Sequence, residues 1–503
     1  MKIFSAEQIR QLDAFTIANE PIRSIDLMER ASRAFVKWFV DRFHRGEEIF
    51  VFCGPGNNGG DGLAVSRILL EANYRVRTFI LTSDSYSEDF KTNQSRLSRI
   101  ATLFYIKSGK DTPTIPKEAV VIDAVFGSGL TRPVEGLFAE VIQGINQSKA
   151  KVISIDIASG LFADCSNKSK DIIVEPDFTV SFQLPKLAFM LPQNEKYVGE
   201  WYAEDIRLSQ EFIDNEGVNY YYTTATDIKS LLKRRSKFSH KGNFGKSLLI
   251  GGSYGMVGAI TLAVKACLRT GTGLSVAYVP TCGYEILQSA VPESIVMTDK
   301  EKNFITDIPD LNSFNAVGIG PGLGKNEMTV AAFKKLLEFG KPVVIDADGL
   351  NILAENKELM EIIPAASILT PHPKEFERLA GKVTDDFQRL ELLKKFSADL
   401  KSIIVLKGAH TAIASPEEKI YFNSTGNPGM ATGGSGDVLT GIIVSLLGQG
   451  YTSWEAAVIG VYIHGYAGDA AAKEKSEVSL LPSDIIEAIP EFYKVFSSSS
   501  RFK

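Results

Sequence analysis

Short apolar runs recur along this chain, and each precedes or follows a stretch with helical periodicity. In the first part the runs read IFVFC (Ile49–Cys53), RVRTFILT (Arg75–Thr82), AVVIDAVFG (Ala119–Gly127) and KVISIDIASG (Lys151–Gly160). That alternation predicts parallel sheets joined by crossover helices. It weakens between about Phe212 and Lys237, where tyrosines, acids and bases mix without a continuous strand signal, and a domain boundary is expected there. A second series then begins: KSLLIGGS (Lys246–Ser253), GLSVAYVP, AVGIGPGLG, KPVVIDADGLNIL, ASILTPHPKE and SIIVLKGAHTAIAS. It predicts a second α/β domain. The terminal SSSSRFK has little apolar surface with which to dock and is expected to fray.

Composition narrows the class. At 503 residues the chain is too long for one ordinary core. Hydrophobic residues at 44%, charged residues at 23% and a net charge of −5 describe an ordinary globular protein. Basic residues occur only in short runs such as KRR at Lys233–Arg235, so no nucleic-acid partner is expected. Cys53, Cys165, Cys267 and Cys282 lack metal-like spacing, and reduced cytoplasmic thiols are the simplest account. The first residues lack a signal-peptide core and no apolar run reaches spanning length, so no membrane association is expected.

Candidate chemistry sits at strand ends. GPGNNGGDG (Gly54–Gly62) follows the first strand and leads into a helix, which directs free backbone N–H groups at anionic parts of a ligand. Its Gly-x-Gly-x-x-Gly spacing matches a dinucleotide fingerprint, but the acid expected about 20 residues on is absent, since Asp84 falls later. The loop offers instead the side-chain oxygens of Asn57, Asn58 and Asp61, suited to a hard cation or a polar ligand edge. Asp123 in DAVFGSGLTRP and Asp156 with Ser159 in DIASGL end the next strands. Each alone could be a capped turn; together they point at one crevice.

In the second half GNPGMATGGSGDVLTGII (Gly426–Ile443) puts Gly433, Gly434, Gly436 and Asp437 at the start of an apolar helix. Amides at such a helix start can stabilise a phosphoryl group in flight, and Asp437 lies where an attacking hydroxyl would lose its proton. GNFGKS at Gly242–Ser247 lacks the gap of a Walker loop and is set aside. Lys407 and Gly408 in LKGAHT suit nucleotide phosphates, and His372 lies between two prolines in a stiff polar turn. His44, His240 and His464 are assigned no role.

With LMERAS upstream, GPGNNGGDG, DAVFGSGL and DIASGL resemble the epimerase domain of the NAD(P)H-hydrate repair enzymes. GGSYGMVGA, GIGPGLG, DADGLN, TPHPKE, LKGAHT and GNPGMATGGSGD resemble the ADP- or ATP-dependent hydrate dehydratase domain. The resemblance implies a Rossmann-like three-layer domain over 1–212, a linker over 213–223 and a ribokinase-like α/β domain over 224–498. By position it implies K+ on Asn58, Asp123 and Ser159, with the hydrated nicotinamide on Asn57, Asn58, Gly59, Gly60, Asp61, Gly127, Ser128, Gly129, Leu130, Thr131, Arg132, Pro133 and Asp156, the last as acid and base. In the second domain it implies Ala259, Gly322, Gly324, His372 and Asp437 against the hydrated dinucleotide, Asp437 being the catalytic residue. Lys407, Gly408, Ala409, His410, Thr411 and Gly436 would contact the adenine nucleotide, with Mg2+. Lys186 matches a recurrent lysine, and Ala158 departs from the family's usual proline.

The expected activity is epimerisation of R and S hydrates of NADH and NADPH (NADHX and NADPHX), and dehydration of the S form at the expense of ADP, less readily ATP, yielding AMP and phosphate. A cytoplasmic homo-oligomer is the expected setting. Two rivals remain: a small-molecule kinase of the same fold, which would leave a stable phosphorylated product, and a binding scaffold without catalysis in its first domain.

Overall fold

The computed structural model describes residues 1–497; Ser498–Lys503, on which most of the expected fraying falls, lie outside them. The chain forms two compact units. One comprises Lys2–Tyr220 with Asp385–Phe387, and the other Met1, Tyr221–Thr384 and the chain from Gln388 onward.

The first unit is built on strands β1 (Glu48–Cys53), β2 (Arg75–Leu81), β3 (Leu103–Ile106), β4 (Val120–Ala124), β5 (Lys151–Ile155), β6 (Phe178–Phe182) and β7 (Glu200–Glu204), in the order β3-β2-β1-β4-β5-β6-β7. All neighbours are parallel. Alternate side chains serve opposite faces. Ile49, Val51 and Cys53 join helices Ser24–Val40 and Asn57–Glu71 in one apolar cluster, whereas Phe50 and Phe52 stack on Phe79. The chain leaves β1 toward β2 and β3 but continues from β4 the other way, so β1 and β4 flank the switch point at which such sheets hold ligands.

The second unit carries a ten-stranded sheet in the order β11-β10-β9-β12-β13-β14-β15-β16-β17-β8. Its strands are β8 (Tyr220–Tyr222), β9 (Lys246–Ile250), β10 (Leu274–Val279), β11 (Ile295–Thr298), β12 (Ala316–Ile319), β13 (Val344–Ile345), β14 (Ile368–Leu369), β15 (Ile403–Leu406), β16 (Ala412–Ala414) and β17 (Ile420–Phe422). It runs parallel from β11 to β15, then antiparallel through β16 and β17. The switch point lies between β9 and β12. Helix Ser435–Gly448 packs on helix Val257–Thr270 and on both switch-point strands, and it is apolar and buried all round, as a central helix must be.

The stretch without a strand signal does contain one. Tyr220–Tyr222 forms β8 and Gln210–Asn215 is helical, so regular structure runs through the expected linker. Three tyrosines suit a pleated edge, and the Tyr221 ring stacks 4.8 Å from that of Tyr421 on β17.

Candidate functional site

The carboxyl ends of β1, β4 and β5 open on a cavity of about 600 Å3. Asn57, Asn58 and Asp61 reach it from the first turns of helix Asn57–Glu71, and Gly127, Ser128, Gly129, Leu130 and Asp156 from the loops after β4 and β5. Gly59 and Gly60 are buried behind that wall; a Cβ on Gly59 would lie 1.7 Å from the Gly54 carbonyl oxygen, so only glycine lets the helix start close on the strand end. Thr131, Arg132 and Pro133 continue the loop on the exposed surface. Asn58 Nδ2 and Asp61 Oδ1 are buried without hydrogen-bond partners, polar groups that a ligand would satisfy. Ala158 still makes a closed turn, its carbonyl accepting the Leu161 N–H at 3.0 Å.

Asp156 follows β5 with a left-handed backbone, φ +67°. Its Oδ1 accepts from Lys186 Nζ at 2.5 Å and its Oδ2 from the Ser128 N–H at 3.3 Å. Lys186 is 2% exposed and also donates to Ser181 Oγ at 2.6 Å. Burial pushes the Asp156 carboxyl up, but the Lys186 ammonium and these hydrogen bonds outweigh it, and the net shift is below the usual carboxylate range. Asp123 sits one strand away, fully buried. It accepts from Ser159 Oγ at 2.5 Å, Ser154 Oγ at 2.8 Å, the Ser159 N–H at 2.9 Å and the Val125 N–H at 3.2 Å. Burial raises it, those bonds oppose the shift, and it makes no ion pair among the described residues.

In the second unit the loops after β9, β12, β13 and β15 meet the start of helix Ser435–Gly448. Gly434, φ +95°, is its N-cap in a left-handed turn that favours glycine, and no side chain caps the helix start. Asp437 stands in that first turn. Burial, then the nearby charges of Asp346 and Asp348, push its carboxyl up to about 7, against the pull of Lys407. Lys407, just past β15, lies against Gly436 and holds Asp346 Oδ1 at 3.0 Å, while Thr440 Oγ1 donates to Asp346 Oδ2 at 2.7 Å. Asp348 Oδ2 accepts the Gly324 N–H at 2.9 Å, and Ser253 Oγ donates to the Gly322 carbonyl at 2.9 Å, tying the β12 loop to the turn that leads into the helix bearing Ala259.

His372 caps helix Pro373–Ala380, its Nδ1 accepting the Lys374 N–H at 3.1 Å and the Glu375 N–H at 3.3 Å, while its half-exposed ring leaves Nε2 beside Glu375. Gly408 and Ala409 form an exposed turn, with Thr411 Oγ1 bonded back to the Gly408 carbonyl at 3.0 Å. His410 is tied to the Asn423 carbonyl at 3.1 Å. Three contributors carry no sequence assignment. Asp346 and Asp348 lie within the DADGLN motif, but their role depends on which loops fold beside it. His464, from helix Ser453–Lys475, is half-buried with Nε2 3.2 Å from Ser435 Oγ, and loss of solvent around the ring holds it down at about 4.

A family model described as NAD(P)H-hydrate dehydratase matches residues 247–491, and one described as YjeF-related protein N-terminus matches residues 24–188. The bifunctional NAD(P)H-hydrate repair enzyme Nnr of Moorella thermoacetica is 36% identical over 511 residues, spanning 97% of this chain and 96% of that protein. The chain belongs to the bifunctional NAD(P)H-hydrate repair enzymes. Another member, from Thermofilum pendens, is 34% identical over 98% of this chain and 96% of its own length. Among solved structures, the ADP/ATP-dependent NAD(P)H-hydrate dehydratase of Bacillus subtilis co-crystallised with ATP/Mg2+ is 30% identical, covers 56% of this chain and 100% of that one, and gives a TM-score of 0.49. As a repair enzyme of this family the chain is bifunctional, an epimerase domain followed by a dehydratase domain. Asp156 and Lys186 fall in the first matched stretch; Asp346, Lys407 and Asp437 fall in the second.

Proposed function

We propose that this repair enzyme interconverts the R and S hydrates of NADH and NADPH at the Asp156 cavity and dehydrates the S form at Asp437, using ADP in preference to ATP and giving AMP and phosphate. The observation that carries the reading is Asp437 itself: a carboxyl raised to about 7, in the first turn of a helix that no side chain caps, with Lys407 beside it. The hydrated ring bears a hydroxyl on the carbon next to nitrogen, and hydroxide is a poor leaving group. Asp437 takes the hydroxyl proton as the oxygen attacks the terminal phosphorus. Amides of Gly433 to Gly436 stabilise the phosphoryl in flight, and Lys407 to Thr411 hold the donor. Phosphate then departs, driven by the ring nitrogen's electron pair, and the ring carbon next to the new carbon–nitrogen double bond gives up a proton to solvent, which returns the pair to nitrogen and makes the ring double bond of the reduced nicotinamide. Asp346 and Asp348 place carboxylate charge beside Asp437, chemistry that suits Mg2+, which would offset the charge of the donor phosphates.

Asp156, held by Lys186, handles the proton of the epimerisation. The Asp123 carboxylate, buried among hydroxyl and amide partners, fits a monovalent cation, with Asn58 and Ser159 as the other oxygen donors. A cytoplasmic setting is supported by four free cysteines. The test is a mixture of R and S hydrates incubated with the protein and ADP. Full recovery of reduced-nicotinamide absorbance is expected, with phosphate released in step; recovery that stops at the S fraction would overturn the epimerase half, and none at all would overturn the whole reading.

A further inference from the structure

The first helix, Ala6–Asn19, is fastened along its length. Ser5 and Gln8 cap it reciprocally, Asp164 Oδ2 accepts the Ala6 N–H at 2.8 Å, and Thr16 Oγ1 accepts the Ser209 N–H at 3.0 Å. With Leu12 and Thr16 buried on one side, Ile9, Arg10, Asp13, Ala14 and Ile17 form a stripe at helical spacing that walls the Asp156 cavity. Asp13 makes no side-chain hydrogen bond or ion pair among the described residues, so its carboxyl is available to whatever fills the cavity. The titratable groups facing it are Asp61, Asp156 and Lys186 from the other walls and Arg10 from its own helix, where Arg10 is paired with Glu7.

We infer that Asp13 is a second proton-transfer residue of the epimerisation site, donating to the departing ring hydroxyl while Asp156 accepts. The inference rests on the proposed epimerase activity. The ring carbon–oxygen bond breaks with its electron pair going to oxygen, the Asp13 proton joins that oxygen to make water, and the nitrogen lone pair forms a carbon–nitrogen double bond. Water then adds to the other face, the nitrogen recovers its pair, and the surplus proton passes to the Asp156 carboxylate. Proton exchange with solvent returns the two carboxyls to their starting states. Only the configuration at carbon has changed. Burial, then the negative charge of Asp156, raises Asp13 to about 6 against the pull of Lys186, whereas Asp156 is lowered by its lysine. Asp13 and Asp156, two of the three carboxyls that line the cavity, thus have proton affinities pushed apart, the arrangement acid and base roles require.

Conversion of pure R hydrate to S, measured without nucleotide, tests this, with ADP-dependent dehydration of pure S hydrate as the control for folding. In the wild type, epimerisation should fall as pH rises through about 6, because the donor must be protonated. Asp13→Asn should lower it about 10²-fold and flatten that limb, with dehydration unchanged. Asp13→Glu, which keeps an acid, should restore part of the rate with a displaced limb. An Asn variant with wild-type rate and pH profile overturns the inference, and so does an unmoved limb in Asp13→Glu. If the wild type fails to epimerise, or Asp156→Asn matches it, the underlying activity is what fails.

Discussion

Lys186 Nζ stands 2.5 Å from Asp156 Oδ1, and the Asp156 backbone that presents this carboxylate is left-handed, φ +67°. Asp and Asn tolerate that conformation better than other side chains, and strained backbone of this kind persists where surrounding structure enforces it. Here the enforcement comes from the Asp156 N–H bonded to the Val180 carbonyl at 2.8 Å and from the buried lysine. One short loop thus fixes both where the carboxylate points and that it is ionised.

Asn keeps the shape and the left-handed backbone while removing the charge. Asp156→Asn should therefore lower epimerisation by a factor on the order of 10² or more, yet leave dehydration of pure S hydrate intact. Loss of both activities would show that the two sites are not independent.

Lys186→Met removes the partner of a buried carboxylate. Epimerisation should drop and its acid limb should move to higher pH, because Asp156 loses the interaction that lowers it. The first domain should also lose stability, on the order of 3 kcal/mol, the usual cost of leaving one member of a buried pair alone. Denaturant titration beside the pH–rate profile measures both; an unshifted profile would assign the lysine a purely structural role.

Asp437 must be ionised to act as a base, so dehydration of S hydrate should rise with pH through about 7. Stability runs the other way. A carboxyl raised from 3.8 to about 7 binds its proton more tightly when folded, so its contribution is full below 3.8 and is lost as pH climbs through 7. Relative to the wild type, Asp437→Asn should therefore gain stability between pH 4 and pH 8, by an amount on the order of 2–4 kcal/mol. An equal difference at both values would place the carboxyl in a less buried setting.

Each cofactor repaired should consume one ADP and release one inorganic phosphate, with no phosphorylated dinucleotide accumulating. Asp437→Ala should lower this rate on the order of 10²-fold or more while nucleotide binding survives on the untouched Lys407 to Thr411 turn. A stable phosphorylated product in the wild-type assay would favour a kinase.

A structure determined from potassium buffer should hold an ion with only oxygen neighbours near Asn58, Asp123 and Ser159. Thallium or rubidium anomalous scattering would identify it, and a site empty at high occupancy of the buffer cation would remove the assignment.

The longer strands were legible because continuous apolar runs such as Ile49–Cys53 and Leu274–Val279 have few alternatives in an alternating pattern. β8 was not, since its tyrosines read equally as a polar linker until β17 provides a partner. Asp156 and Asp437 could be singled out because strand ends and helix starts are marked by glycines and small residues. Asp13 could not. On an isolated helix it is one more surface acid, and it faces the cavity only because Ser209 and Asp164, distant in sequence, hold Thr16 and the Ala6 N–H. His464 is unmarked for a different reason: glycine, aliphatic residues and tyrosines flank it in sequence, and Ser435 reaches it only across the packing.

Helix Ser435–Gly448 has no exposed residue, so the helix that carries Asp437 cannot loosen by local fraying. Heat inactivation of dehydration should then coincide with loss of near-ultraviolet circular dichroism from this domain instead of preceding it. By the same reasoning Ile442→Ala, far from any ligand and costing about 2–5 kcal/mol, should lower the inactivation temperature while barely changing turnover below it: durability of the catalyst is set in the hydrocarbon interior.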